Sequence, residues 1–191
     1  RYGLVVMTVL GVMVLSPLAL FAYKESDVYF ARTRETSLLS TKAPDERIPA
    51  IVENTRKHLL MFNYRGDPNG RHNLPGEPMM DPFTGALMVL GLVITLRWFW
   101  RPRTFFFLIW LGTGLLGGIL SLDFEAPQSL RSIATLPAVY LLATIPIYLL
   151  WREWNRAVDP YFPGYFSWIA ALLLVPIALS NGVTYYIDQR T

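Results

Sequence analysis

The sequence predicts an all-α membrane protein. It has about five transmembrane helices and one long outer-face loop that carries an amphipathic interfacial helix. Three observations predict this. Of 191 residues, 53% are hydrophobic and only 16% are charged, whereas soluble domains carry about 25% charged residues. The mean hydropathy is positive, at +0.34. Five apolar runs, at residues 2–23, 84–100, 104–122, 133–150 and 164–186, each have about the length that crosses a hydrocarbon layer. Cysteine is absent, which excludes a disulfide framework and a thiolate metal site. The net charge of +3 is small and dispersed and argues against nucleic-acid binding. The chain starts at Arg1 and ends just past an apolar run, so we read it as a piece of a longer polypeptide. Residues 4–23 are too long for the apolar core of a usual signal peptide.

The first run, 2–23, contains Pro17, which should kink it. Residues 24–83 form the polar outer loop, with acids and bases nearly balanced. Within it, 26–40 is irregular and is expected to hold a short helix. Residues 45–62 read as one amphipathic helix: Ile48, Ile51, Val52, Thr55, Leu59 and Phe62 share a face at the 3.6 period, with Glu46, Arg47, Glu53, Arg56 and Lys57 mostly elsewhere. Such a face suits either a membrane interface or another soluble domain. The second run, 84–100, ends in Trp98 and Trp100, rings that prefer the headgroup level. The third, 104–122, carries Gly112, Gly114, Gly117 and Gly118, which permit close helix contact. The fourth, 133–150, is expected to be broken or bent at Pro137 and Pro146. The segment 151–163 is polar, and 164–186 is the fifth run.

Short loops set the orientation. The turn holding Arg97, Arg101 and Arg103 is strongly basic, 151–156 is weakly basic, and 123–131 is net acidic. The positive-inside rule places the two basic turns in the cytoplasm. The 24–83 segment, the 123–132 loop and the C-terminal tail then share the outer side.

Candidate chemistry gathers on that side, and above all in residues 66–91, GDPNGRHNLPGEPMMDPFTGALMVLG. This stretch passes from turn formers directly into a membrane helix. Arg71 presents a planar fork suited to phosphate oxygens, and His72 can donate a hydrogen bond or shuttle a proton. The plainer reading is that both cap a turn or pair with Asp67 and Glu77. Asp81 before Pro82 is the ordinary capping arrangement for a helix start and a weaker candidate for a catalytic acid. Arg131, just before the fourth run, is placed either to anchor a phosphate or to snorkel at a helix end beside Glu125. Asp123 and Glu125 have the spacing of a paired-carboxylate site. Two histidines, His58 and His72, and no HExxH pattern give little support for a metal site, which leaves carboxylates as the alternative holders of a divalent ion. Nucleotide-binding glycine loops and a GxSxG nucleophile motif are also absent. No charge sits mid-run, where ion translocation needs one.

Two segments carry a family resemblance. RHNLPGEPMMDPFTGALMVLGL (71–92) and LRSIATLPAVYLLA (130–143) resemble the protein O-mannosyltransferase-like group of bacterial membrane glycosyltransferases, which have the GT-C fold, and the related aminoarabinose transferases. FARTRETSL (30–38) resembles a segment that follows an earlier helix in the same proteins. The resemblance spans most of the chain. It implies a multi-pass protein of the bacterial inner membrane that moves a sugar from a polyprenyl-phosphate donor to an acceptor at the outer face. No cofactor is identified in the sequence, and the polyprenyl-phosphate-linked sugar is the donor substrate. Arg71, His72 and Arg131 would form the lipid-phosphate rim. The family's catalytic base is an Asp in the first outer loop, expected upstream of this chain, and Asp81 does not match it. The partners implied are membrane lipid, the lipid-linked sugar and an acceptor. A lipid-phosphate transporter or flippase-like subunit, or a non-catalytic scaffold, would use the same outer arginines without bond making.

Overall fold

Residues 2–158, 161 and 164–188 are described by the computed structural model. The chain forms eight α-helices: α1 (Tyr2–Lys24), α2 (Ser26–Thr36), α3 (Leu38–Thr41), α4 (Pro44–Leu60), α5 (Pro82–Arg97), α6 (Pro102–Ile119), α7 (Leu136–Ala157) and α8 (Tyr165–Tyr186), of which α2 and α4 are polar and α1, α5, α6, α7 and α8 apolar. Two 3-10 turns, Asp123–Glu125 and Leu130–Thr135, join α6 to α7. Among the described residues the sole β feature is one antiparallel bridge between Ser37 and Ser121. Four apolar stretches are long enough to cross a membrane: Tyr2–Lys24, Pro102–Ile119, Leu130–Ala157 and Tyr165–Tyr186. The helix α5 is apolar but has 16 residues, about 24 Å at the α-helical rise. It starts before the expected 84–100 run, where Asp81 caps it, and ends short of that run's end because the chain turns at Trp98.

The core is a three-helix contact among α5, α6 and α7. Met88 of α5, Leu111, Leu115 and Ile119 of α6, and Ala138, Val139, Leu142 and Ala143 of α7 form one buried cluster with Met61 and Phe62 from the end of α4. Small residues set how close the backbones come. A Cβ on Gly91 would collide with the Leu142 carbonyl, so α5 and α7 touch main chain to main chain there. In α6, a Cβ on Gly114 would lie 2.7 Å from Thr135 Cγ2, and one on Gly117 would lie 2.9 Å from the Arg131 carbonyl oxygen. Gly118 faces His58 and Ser132. Of the four glycines expected to allow close contact, Gly112 alone faces open space.

By contrast, α1 and α8 bury no residue. Both are apolar around most of their circumference, the pattern of helices that face lipid or another apolar surface, and α8 carries Ser180, Asn181 and Thr184 on the side of α5. Pro17 and Pro146 sit inside continuous helices. Pro137 starts α7 rather than breaking it, because proline at the first turn lacks only an N–H that has no helical partner anyway. The expected polar segment 151–163 is mostly the last turns of α7, and Pro163 lies outside the described residues.

The long polar segment and the α6–α7 connection meet at one end of the bundle, as the charge pattern of the loops predicts. The basic turn at Trp98–Arg101 is at the other end, where Arg97 lies 5.8 Å from the Trp100 ring centroid and Arg101 lies 5.5 Å from that of Trp98. The face that α4 buries against the bundle is not its apolar stripe. Asn54 and His58 are fully buried, while Ile48 and Val52 are 72% and 62% exposed. The apolar stripe is wider than the contact, and its Ile51–Phe62 flank joins the core while the Ile48–Val52–Leu59 flank faces outward.

A branched residue at Gly91 is expected to force α5 from α7. Gly91→Val should lose about 1–3 kcal/mol of stability or more, read as a lowered detergent-phase melting temperature, whereas Gly112→Ala should melt like the parent.

Candidate functional site

The polar segment becomes a cap because buried polar groups on it find partners in the α6–α7 connection. Asn54 Nδ2 donates to the carbonyls of Ile119 and Ser121, each at 3.0 Å, and so satisfies main-chain acceptors where α6 ends. One turn later, His58 Nε2 accepts from the Gln128 N–H at 3.1 Å. Accepting there puts the ring proton on Nδ1, which donates to the Asn54 carbonyl at 2.8 Å. Burial holds His58 below its ordinary value, against opposing pulls from the Asn54 carbonyl and Asp67, so it is a neutral structural histidine.

The loop over residues 66–77 is closed at its neck by two main-chain bonds, Gly66 N to Glu77 O and Gly76 N to Asp67 O, each 3.1 Å. Two glycines permit this. Gly66 abuts the Glu77 carbonyl with no room for a side chain, and Gly76 has φ of +79°, a conformation glycine adopts without strain. Asp67 at the neck is 1% exposed. Its Oδ1 accepts from Asn69 N at 2.8 Å, and its Oδ2 accepts from Ser129 N and Ser129 Oγ, both at 2.8 Å, and from His72 Nδ1 at 3.2 Å. Burial pushes the Asp67 carboxyl up, but the hydrogen bonds from Asn69, Ser129 and His72 together outweigh it and hold the group below the usual carboxylate range. One carboxylate thus fixes the loop, orients His72 and ties residue 67 to residue 129.

These ties enclose a cavity of about 290 Å³. Arg71 and His72 line it from the loop, Met61, Phe62, Met79 and Met80 form its inner wall, and Ser129, Ser132 and Thr135 add hydroxyls. Its outer wall is the apolar stripe Leu130, Ile133, Leu136 and Tyr140, each 42–58% exposed. Among the described residues no carboxylate lines it. The Arg71 main-chain N–H donates to Asn69 Oδ1, and its guanidinium makes no hydrogen bond or ion pair to the described residues. Because Asp67 takes the Nδ1 proton of His72, Nε2 is the ring atom left for a ligand.

The sequence candidates therefore separate. Arg71 and His72 share the cavity. Arg131 does not line it; its Nη1 donates to the Thr36 carbonyl at 3.4 Å, because the residue's own carbonyl packs on Gly117 and turns the side chain toward α2. Glu125 pairs with Gln128 Nε2 at 2.7 Å rather than with Arg131. Asp123 bridges to Lys42 at 2.9 Å, so Asp123 and Glu125 are engaged separately and form no catalytic pair. Asp81 is the N-cap of α5, accepting from Phe83 N and Thr84 N at 3.1 and 3.0 Å, as its place before Pro82 predicts. No cluster of three or more potential metal-ligating His or acidic side chains occurs among the described residues. The site residues that sequence reasoning did not single out are Asp67 beyond its role as a possible partner, and Ser129. The turn-forming Asp-Pro-Asn-Gly run (67–70) marks a turn but not the burial of its carboxylate. Comparison of the chain with known protein families, curated proteins and solved structures finds no match.

Two acid-sensitive windows follow. A depressed His58 makes a contribution to stability that is complete above its ordinary value of 6.5 and is lost as pH falls below it. A depressed Asp67 makes one that is complete above its ordinary value of 3.8 and is lost below that. Melting temperatures measured against pH should decline in both windows. His58→Gln should flatten the upper window alone. Asp67→Ala should shrink the lower one, to which Asp81 also contributes, and cost about 1–3 kcal/mol at neutral pH for each buried donor left unpaired.

Proposed function

We propose that this chain is part of an integral membrane glycosyltransferase that moves a sugar from a polyprenyl-phosphate donor to an acceptor at the outer face of the bacterial inner membrane. The observation that supports it most is the pairing, in one cavity, of Arg71 and His72 with the exposed apolar stripe Leu130–Ile133–Leu136–Tyr140. A lipid-linked donor needs that arrangement: donors at headgroup depth for the phosphate and an apolar path for the tail. Arg71 offers a planar fork to two phosphate oxygens. His72 presents Nε2 beside it, its ring set by Asp67. As the sugar leaves, negative charge grows on the phosphate, and donors fixed before the reaction stabilise it there. We assign no base for the acceptor hydroxyl within the chain. The family resemblance expects an Asp in a first outer loop for that step.

In this reading α5 also crosses the membrane, second in chain order, and brings the number of crossings to five. Its 16 residues are extended at one end by the Trp98–Trp100 turn at headgroup level. The helix α4 lies at the outer interface, with Ile48, Val52 and Leu59 turned to lipid. A second reading, a lipid-phosphate transporter or flippase-like subunit or a scaffold, draws on the lack of any carboxylate lining the cavity among the described residues. It keeps the phosphate site and drops the bond making.

Binding of farnesyl phosphate to the chain in lipid nanodiscs tests the shared part. Arg71→Ala and His72→Gln should each weaken it about tenfold or more, the usual worth of a charge-assisted hydrogen bond, while Arg131→Ala should stay within about twofold. Equal weakening by all three, or by none, contradicts the assignment. Transfer of labelled sugar from the lipid donor by the complete polypeptide then separates enzyme from transporter.

A further inference from the structure

A second and larger space, about 1260 Å³, lies where α8 diverges from α5. It shares Met79 and Met80 with the cationic cavity as a common wall. Its chemistry is the opposite. No Lys, Arg or His lines it among the described residues, and its rim carries the carboxylates of Glu77, Asp81 and Asp188, the amides of Asn63, Asn73 and Asn181, and the hydroxyls of Ser180, Thr184 and Tyr185. Both amide N–H groups of Asn181 and one of Asn73 are already used. Asn73 Nδ2 donates to the Glu77 carbonyl at 2.5 Å, and Asn181 Nδ2 donates to Asp81 Oδ2 at 3.0 Å and to the Ile177 carbonyl at 2.8 Å. Asp81 is a carboxylate: burial pushes it up, but hydrogen bonds from Thr84, Asn181 and Phe83 hold it below the usual range. What the rim has to offer is mostly acceptors, the amide oxygens of Asn73 and Asn181 and the carboxylate of Glu77, beside the hydroxyls of Ser180, Thr184 and Tyr185, which either donate or accept. Below it the floor turns apolar, through Val89, Leu90 and Val93 of α5, which are 44–57% exposed.

We infer that this groove binds an amphiphile with an uncharged, polyhydroxylated head, a glycosyl lipid, with the head's hydroxyls donating to the Asn73, Asn181 and Glu77 oxygens and its chain along Val89, Leu90 and Val93. An acceptor-rich, cation-free rim requires donors from its ligand and repels a phosphate. The polar-to-apolar gradient down α5 matches a lipid held upright, and the volume accommodates a headgroup with the start of its chain. The groove is a site of different chemistry from the phosphate cavity, and its occupancy does not depend on that reading.

The test uses the full chain in liposomes with an alkyl glucoside bearing a photoactivatable diazirine in its tail, and peptide mapping of the label. The expected result is label on residues 86–93 and 180–185, displaced by unlabelled alkyl glucoside and not by the alkyl phosphate or alkyltrimethylammonium of equal chain length. Val89→Trp fills the floor, and Asn181→Leu removes a rim oxygen while leaving the α5 cap on Asp81 Oδ1. Each should cut this label about fivefold or more. Arg71→Ala should leave it unchanged, even where it abolishes alkyl phosphate binding. Label spread evenly over α1 and the other lipid-facing helices without displacement overturns the inference. Displacement by the phosphate or ammonium amphiphile as effective as by the glucoside also overturns it. A folded Val89→Trp protein that labels like the parent does the same.

Discussion

A buried carboxylate without hydrogen bonds is among the most costly groups a fold can hold, and the geometry around Asp67 is arranged so that it never lacks them. Four donors converge on it, two of them from a residue 62 positions away. This explains why a polar segment rich in Pro and Gly is ordered at all. The segment has too few apolar contacts of its own to offset its conformational entropy. It is held because its polar groups complete those of the α6–α7 connection, and that connection is itself seated on the small residues of α6. With Asp67 unsatisfied, the loop carrying Arg71 and His72 would have no fixed place relative to α7.

The same logic orders the layers. Gly91 lets α5 and α7 meet main chain to main chain, and Gly114, Gly117 and Gly118 let the 130–135 turn and His58 settle on α6. With the connection fixed there, Leu130, Ile133, Leu136 and Tyr140 emerge on the cavity side. Close backbone packing in the bundle thereby sets the spacing of the polar cap above it. Around this compact centre, α1 and α8 present mostly apolar surface, broken on α8 by Ser180, Asn181 and Thr184 on the side of α5, as expected of helices whose neighbours are largely lipid or protein apolar groups.

Much of this was legible in the sequence, and the reasons for the exceptions are physical. Hydropathy located the long apolar helices because burial in lipid requires uninterrupted apolar runs. Loop charge put residues 24–83 and 123–132 at one end because topology alternates with each crossing, and the Asp81 cap followed from local chemistry. Helix length at α5 was misjudged because a run of apolar residues does not say where the backbone turns. The face that α4 buries is not marked by its apolar stripe, for a different reason. Periodicity finds apolar faces, whereas Asn54 and His58 are buried for their hydrogen bonds to Ile119, Ser121 and Gln128, partners at least 65 residues away. Asp67 was legible as a partner for His72, but its burial and its bonds to Ser129 were not, on the same grounds, and Arg131 was grouped with Arg71 because charge and loop position carry no information about side-chain direction.

The account centres on a phosphate held by Arg71 within the cavity beside α7. Magic-angle-spinning NMR of the nitrogen-15 arginine-labelled chain with farnesyl phosphate, detecting phosphorus–nitrogen dipolar dephasing, reads that contact directly. A guanidinium bonded to a phosphate oxygen puts nitrogen about 4 Å from phosphorus, so the account predicts strong dephasing that persists in Arg131→Ala and disappears in Arg71→Ala. Dephasing that survives Arg71→Ala and disappears in Arg131→Ala would contradict it.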